Sequence, residues 1–106
     1  MLIAEDDMEK FHSEIDRLYR AILNLKSEEE CAAFLEDICT IKEIQDLSQR
    51  LQVATMLKSG YNYQEVSKQT GASTATICRV NKCLMYGCGG YITAIDRLDG
   101  EEEAKA

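Results

Sequence analysis

The chain has 106 residues, no proline and a formal net charge of −7, and 45 % of its residues are hydrophobic. That length predicts one domain with a modest core, burying about two-thirds of the surface that the unfolded chain exposes. No apolar run approaches the roughly 20 residues of a membrane-spanning helix, so we expect no membrane association. Apolar residues recur at spacings of three and four, which predicts an all-α fold of about six helices.

The first predicted helix runs from about Glu5 to Leu25. Its apolar residues alternate at spacings of three and four, and two more widen the stripe: Met8, Phe11, Ile15, Leu18, Ile22 and Leu25, with Tyr19 and Leu23. This is a large apolar surface for one helix of a small domain. Such a seam either belongs to the core or packs on a second subunit.

Three more helices begin at residue pairs typical of a capping box. In this motif the first side chain accepts a hydrogen bond from the backbone N–H three residues later, and the acidic side chain of that later residue accepts one from the backbone N–H of the first residue. The pairs are Ser27 with Glu30, Thr40 with Glu43, and Asn62 with Glu65. The helix that begins at Thr40 should end near Lys58, before Ser59-Gly60. The periodicity predicts these inward-facing residues on the first two of these helices: Phe34, Leu35, Ile38, Ile41, Ile44, Leu47, Leu51, Ala54 and Leu57.

Residues 62–85 have the pattern of a helix-turn-helix, in which two short helices meet through a turn of three or four residues. Gly71 supplies the positive φ that the turn needs, and Ser73 is a natural N-cap for a second helix over about Ser73–Met85. Val66, Ala72, Ile77 and Val80 are the apolar residues expected to face inward. The alternative is an ordinary helical hairpin with a glycine C-cap, but the combined spacings favour DNA binding.

The residues expected to face outward from the second helix are short, polar or basic, as suits contact with base edges. Thr74, Ala75 and Thr76 lie at its tip, while Lys68, Arg79 and Lys82 add positive charge. The candidate DNA-binding residues are Lys68, Ser73, Thr74, Ala75, Thr76, Arg79 and Lys82.

The chain reverses at Gly87-Cys88-Gly89-Gly90 and continues into a final helix over about Tyr91–Leu98, with Ile92 and Ile95 facing inward. Residues 99–106 are mostly acidic, and we expect a flexible tail there. The sequence thus predicts a single DNA-binding and dimerisation domain over residues 1–98.

Acidic residues are concentrated at the two ends of the chain. Residues 1–40 hold eleven acidic and four basic residues, whereas residues 61–98 hold two acidic and four basic ones. The acidic ends predict weak non-specific attraction to DNA, so specific contacts or a second subunit must supply more of the affinity.

The number of cysteines is odd: the chain has five, at Cys31, Cys39, Cys78, Cys83 and Cys88. The N-terminus lacks the basic and then apolar pattern of a signal peptide. Both features are typical of a cytoplasmic protein with reduced thiols. The spacings of five match no structural zinc pattern, and the single histidine, His12, is far away in sequence, so we expect no metal site.

The stretch Gly71 to Leu84 resembles the recognition segment of the bacterial tryptophan repressor. The shared residues are Gly71, Ala72, Ala75, Thr76, Ile77, Arg79 and Leu84. The chain is most similar to the uncharacterised Trp-repressor-like branch of that superfamily. The resemblance implies an intertwined helical homodimer, a sequence-specific transcriptional regulator, with repression the expected mode. In helix-turn-helix dimers, of which the tryptophan repressor is an example, the two reading helices stand one DNA turn apart, about 34 Å, so we expect a palindromic operator.

The resemblance also implies a candidate pocket for a small-molecule corepressor. Thr40, Arg50 and Arg79 stand at the positions that bind the corepressor in the family, whereas Val80 replaces a glycine and Cys83 a serine. Two additional methyl groups would fill the space of an aromatic ring. We therefore do not expect L-tryptophan to bind, and the identity of the effector stays open. Thr40 as a plain N-cap, Arg50 as a solvent-facing residue and Arg79 as a phosphate contact are the alternatives.

Two other classes of function compete with DNA binding. A helical protein-interaction module, in which the helix-turn-helix is only a scaffold, would explain the acidic ends. An enzyme would need Cys88 as a nucleophile before a helix, but the sequence places no histidine base beside it, so we expect no enzymatic activity. Redox sensing by Cys78 or Cys83 would require these thiols to be exposed.

Overall fold

The computed structural model describes residues 5–105, which contain six α-helices and no β-strand. This confirms the predicted all-α class and the number of helices. The helices are α1 (Glu5–Leu23), α2 (Glu28–Ile38), α3 (Ile41–Lys58), α4 (Tyr63–Thr70), α5 (Thr74–Tyr86) and α6 (Gly90–Lys105). None of these described helices combines the length and the apolar character that crossing a membrane requires.

The chain divides into two compact units, Met1–Thr40 and Ile41–Ala106, which we call the N-terminal unit and the C-terminal unit. In the N-terminal unit, the predicted cap of α2 is present with a shift of one residue. Ser27 Oγ accepts a bond from Glu30 N at 3.1 Å, while the Glu30 carboxylate accepts from the backbone N–H of Lys26 at 2.9 Å, not from Ser27. Helix α1 ends at Leu23, two residues earlier than predicted.

Helix α3 is the spine of the C-terminal unit, because α4, α5 and α6 all pack against it. The buried core consists of Val53, Ala54, Met56, Val66, Ala72, Ile77, Val80 and Ile95. Every core residue on α3 therefore lies in its second half. The predicted inward positions of Val66, Ala72, Ile77, Val80 and Ile95 are confirmed.

Four residues that the periodicity placed in the core are exposed in the structure. They are Ile38 on α2, Ile41 and Leu47 on α3, and Ile92 on α6. The pattern identified apolar positions correctly, but nothing in the described chain covers these side chains. These four side chains were expected to face inward, and within residues 5–105 they are exposed instead.

Helix α6 is longer than predicted. It continues past Leu98 through the acidic residues to Lys105, where the sequence suggested a flexible tail. Glutamate, alanine and lysine favour the helix, and Lys105 pairs with Glu101 one turn earlier at 3.1 Å.

The end of α3 is joined to α6 by an ion pair. Lys58 Nζ lies 2.8 Å from Asp96 Oδ1, with both side chains partly exposed. The hydrogen bond that Lys58 donates to Asp96, together with the negative charge of Asp96, raises the pKa of Lys58 above its ordinary value of 10.5, while desolvation acts in the opposite direction. The contact ties α6 to the helix that carries three of the eight core residues.

Gly87 ends α5 for a steric reason. A Cβ atom at this position would collide with the backbone carbonyl oxygen of Cys83, whose carbonyl accepts the N–H of Gly87 at 2.9 Å. The glycine thus permits the close approach that reverses the chain toward α6.

Candidate nucleic-acid interface

Helix α4 begins with a complete capping box. Asn62 Oδ1 accepts a bond from Glu65 N at 2.9 Å, and Glu65 Oε2 accepts from Asn62 N at 3.2 Å. Two backbone N–H groups that the helix start would leave unpaired are thereby satisfied. The predicted start of the helix-turn-helix at residue 62 is confirmed.

The turn between α4 and α5 has the predicted glycine in the left-handed region. Gly71 has φ of 73° and donates its N–H to the Ser67 carbonyl at 2.9 Å. Ser67 Oγ donates to the carbonyl of Ala72 at 3.1 Å, so the small side chain also fixes the far side of the turn. These bonds hold α5 at a defined angle to α4.

Thr70 and Gln49 contribute to the same turn, which the sequence interpretation missed. Thr70 Oγ1 donates to Val66 O at 2.7 Å and accepts from Ala72 N at 3.1 Å. Gln49 on α3 donates Nε2 to the Thr70 carbonyl at 3.0 Å. The turn is therefore stabilised by a hydrogen bond from α3 as well as by hydrogen bonds within the turn itself.

Helix α5 begins at the predicted N-cap. Ser73 Oγ accepts from Thr76 N at 3.2 Å and donates to Thr76 Oγ1 at 3.1 Å. Ile77 and Val80 anchor the inner face in the core. The opposite face presents the remaining candidates to solvent: Thr74, Ala75, Arg79 and Lys82, with Lys68 exposed on α4. Six of the seven candidate DNA-binding residues are therefore exposed, Thr76 is half-buried, and the inner face of α5 packs on the core.

A polar cavity of about 350 Å³ lies between the first half of α3 and the start of α5. It brings Arg50 and Arg79 together, and it is lined by Lys42, Asp46, Gln49, Arg50, Ser73, Thr76 and Arg79. Three of its residues are basic and one is acidic, and Lys42 pairs with Asp46 at 3.2 Å. The cavity can therefore accommodate a small polar or anionic group.

The other candidates for the effector pocket lie elsewhere. Val80 is only 1 % exposed and belongs to the core cluster, so it does not line the cavity. Cys83 is exposed on α5 and is also absent from the lining. Thr40 belongs to the N-terminal unit.

A second groove, of about 370 Å³, crosses the outer side of the helix-turn-helix. We call it the α4–α5 groove, and its lining is Tyr63, Gln64, Ser67, Lys68 and Thr74. Lys68 and Thr74 were expected at a DNA-binding surface. Tyr63 and Gln64 were missed, although their position at the start of the first helix of the motif was a signal for them.

The three cysteines near the C-terminal end of the chain, Cys78, Cys83 and Cys88, are exposed free thiols. Within residues 5–105, no group of three or more histidine, cysteine or acidic side chains is arranged to hold a metal ion.

Comparisons with known proteins agree with this geometry. The model of the Trp repressor protein family matches residues 13–99. The uncharacterised protein YerC of Bacillus subtilis (strain 168) is 53 % identical over 89 residues, which cover 84 % of this chain and 86 % of YerC.

Two crystal structures are similar in both sequence and fold. A candidate Trp repressor from Staphylococcus aureus is 49 % identical with a TM-score of 0.79, covering 82 % of this chain and 87 % of that one. A TrpR-like protein from Eubacterium eligens is 48 % identical with a TM-score of 0.79, covering 82 % of this chain and 90 % of that one.

Proposed function

Because the chain belongs to the Trp repressor family, we propose that it is a sequence-specific DNA-binding regulator that represses transcription in the cytoplasm by occupying its operator. One observation carries the proposal most directly. Helix α5 is anchored on one face by Ile77 and Val80 and presents short polar and basic side chains on the other. A helix that packs on the core with one face and exposes polar side chains on the other is suited to insertion into the major groove.

The residues of this face divide into two roles. Thr74 and Ala75 in the first turn of α5 face the base edges, where a methyl group can contact thymine. Arg79 and Lys82 on α5 and Lys68 on α4 contact phosphates, together with the backbone N–H groups at the start of α5. Because the side chains at the tip are short, water molecules mediate part of the base recognition, as they do in the tryptophan repressor.

The regulator acts as a homodimer on a palindromic site. Exposed apolar side chains on α1, among them Phe11, Leu18 and Ile22, supply an apolar surface for a second copy. An isologous interface buries such a surface on both chains at once. Two reading helices then match successive major grooves on the same side of the duplex.

The cavity that joins Arg50 and Arg79 is the proposed effector site. Its lining favours a small molecule with an anionic group. L-tryptophan is not the expected ligand, because the lining contains no aliphatic or aromatic side chain on which an indole ring could pack. Isothermal titration of the wild-type protein with L-tryptophan tests this point. We expect no measurable binding, and a micromolar dissociation constant would contradict the proposal.

The DNA-binding role can be tested with a matched pair of arginine variants. Because Arg79 contacts a phosphate in this proposal, we expect Arg79→Ala to weaken binding to all operator sequences alike and to reduce the slope of log affinity against log salt by about one. Arg97→Ala removes the same charge from an exposed position on α6 and should change the affinity little. Fluorescence anisotropy over a range of salt concentrations measures both effects. Equal losses in the two variants would contradict a specific role for Arg79.

A second candidate function, a protein-interaction module, is favoured by the exposed apolar side chains of the N-terminal unit. In that case the helix-turn-helix is only a scaffold. The two candidates differ in their response to salt, because neutralising phosphates releases counterions and makes DNA affinity fall steeply with salt. An interaction module would show no such DNA binding at any salt concentration.

A further inference from the structure

The first turns of α4 and α5 open onto the same groove. Gln64 is the second residue of α4 and Thr74 is the first residue of α5, and both line the α4–α5 groove. Thr74 belongs to the tip that faces base edges in the proposed function. A base pair that contacts Thr74 therefore lies close to Gln64, which lines the same groove.

Thr74 and Ala75, at the tip of α5, have short side chains, so recognition of a base pair requires a longer polar side chain nearby. Threonine offers a single hydroxyl oxygen and alanine only a methyl group, so neither Thr74 nor Ala75 presents the separate donor and acceptor atoms of a bidentate contact with one base. A carboxamide can do so with adenine, because its oxygen accepts from the N6 amino group while its nitrogen donates to N7. Gln64 is the one carboxamide in the groove lining.

The other groove residues are less suited to reading a base. The hydroxyl of Ser67 already donates to the Ala72 carbonyl at 3.1 Å. Lys68 can only donate and suits a phosphate, and Tyr63 provides a single hydroxyl. By contrast, Gln64 is exposed, and its amide has no hydrogen-bond partner among residues 5–105.

We propose that Gln64 is a specificity-determining residue, which reads one adenine–thymine base pair in each half of the operator, beside the base pair that meets Thr74. The inference rests on the proposed DNA-binding function and extends it from α5 to α4. In this arrangement Lys68 contacts the neighbouring phosphate and fixes the register, whereas Gln64 carries sequence information.

The test compares three versions of the full chain: wild type, Gln64→Ala and Gln69→Ala. Gln69 is another exposed glutamine on α4, but it lines a different groove, between α3 and α4. Operators are first selected from a random duplex library with each protein. Fluorescence anisotropy then measures how much the affinity falls when each selected base pair is replaced.

For the wild type and for Gln69→Ala, we expect replacement of the adenine–thymine pair by guanine–cytosine to weaken binding about 5- to 150-fold. For Gln64→Ala, the same replacement should change the affinity less than about twofold. Gln64→Glu should instead favour a cytosine at this position, because a carboxylate accepts from cytosine N4. Unchanged thermal unfolding of each variant shows that the fold is intact.

The outcomes separate this inference from the function on which it rests. If the wild type selects no sequence, the proposed function fails and the inference fails with it. If the wild type selects a site and Gln64→Ala retains every base preference, the regulator is confirmed and the role of Gln64 is overturned.

Discussion

The two compact units differ in where their apolar side chains lie. All eight buried residues belong to the C-terminal unit, whereas no described side chain of the N-terminal unit is buried. Phe11, Tyr19 and Leu23 on α1 are each more than half exposed, with Leu23 at 81 %. Large exposed apolar surfaces on a small protein mark an interaction site. The helix-turn-helix therefore has a core of its own, whereas α1 and α2 bury no side chain within the described part of the chain.

The largest expected effect concerns the core of the C-terminal unit. Ile77→Ala removes a side chain that is 1 % exposed, and we expect it to lower the free energy of unfolding by about 2–5 kcal/mol. Ile92→Ala is the matched control. Because Ile92 is 40 % exposed, this substitution should lower the free energy of unfolding much less. Urea unfolding at one fixed protein concentration measures both. Similar losses of unfolding free energy in the two variants would contradict the placement of Ile77 in the core and of Ile92 outside it.

The next prediction concerns the apolar face of α1. Ile22→Asp places a charge in the proposed dimer interface, where burial of an unpaired carboxylate costs several kcal/mol, so the dimer dissociation constant should rise at least ~100-fold. Ser13→Asp adds the same charge to the polar side of α1, half a turn away around the helix axis, and should leave the dimer intact. Sedimentation velocity distinguishes dimers from monomers. An Ile22→Asp protein that sediments like the wild type would place the interface elsewhere.

A third prediction addresses the turn that sets the direction of α5. Gly71 has φ of 73°, so Gly71→Ala should destabilise the fold by about 1–2 kcal/mol. Gly100 lies inside α6, where alanine is the better helix former, so Gly100→Ala should stabilise by about 0.5–1 kcal/mol. Thermal or urea unfolding of both variants gives the sign of each change. Two changes of the same sign would contradict the conformational argument.

The smallest effect belongs to the ion pair between Lys58 and Asp96. Because the folded pKa of Lys58 is raised, its contribution to stability is fully present below the ordinary pKa of 10.5 and is lost as pH rises through the raised value. Both groups are partly exposed, so the effect on unfolding is small. An NMR titration of Lys58 should show a lower pKa in Asp96→Asn, and a smaller decrease in Asp99→Asn. An unchanged titration in Asp96→Asn would rule out the pair in solution.

The sequence predicted features whose partners lie within a few residues of each other. The Asn62–Glu65 capping box, the left-handed Gly71 and the Ser73 cap were all identified from spacing, and all are confirmed. In each case the relevant hydrogen bond spans three or four residues. Local chemistry of this kind does not depend on how distant segments pack.

Features that depend on distant segments were missed or came from the resemblance alone. Gln49 and Thr70 are 21 residues apart, and no periodicity marks the bond between them. The shared cavity of Arg50 and Arg79 followed from the resemblance, not from spacing. Hydrophobic periodicity identified Ile41 and Leu47 as apolar positions but could not distinguish them from core positions, because it carries no information about which distant segments pack there.

The most direct test of the account is a hydroxyl-radical footprint of the wild-type protein on its selected operator. If paired α5 helices read successive grooves, two regions on the same side of the duplex are protected, with centres one helical turn apart, about 10 base pairs. Protection of a single region, or none at concentrations where the protein is dimeric, would contradict the proposal that paired α5 helices read successive grooves.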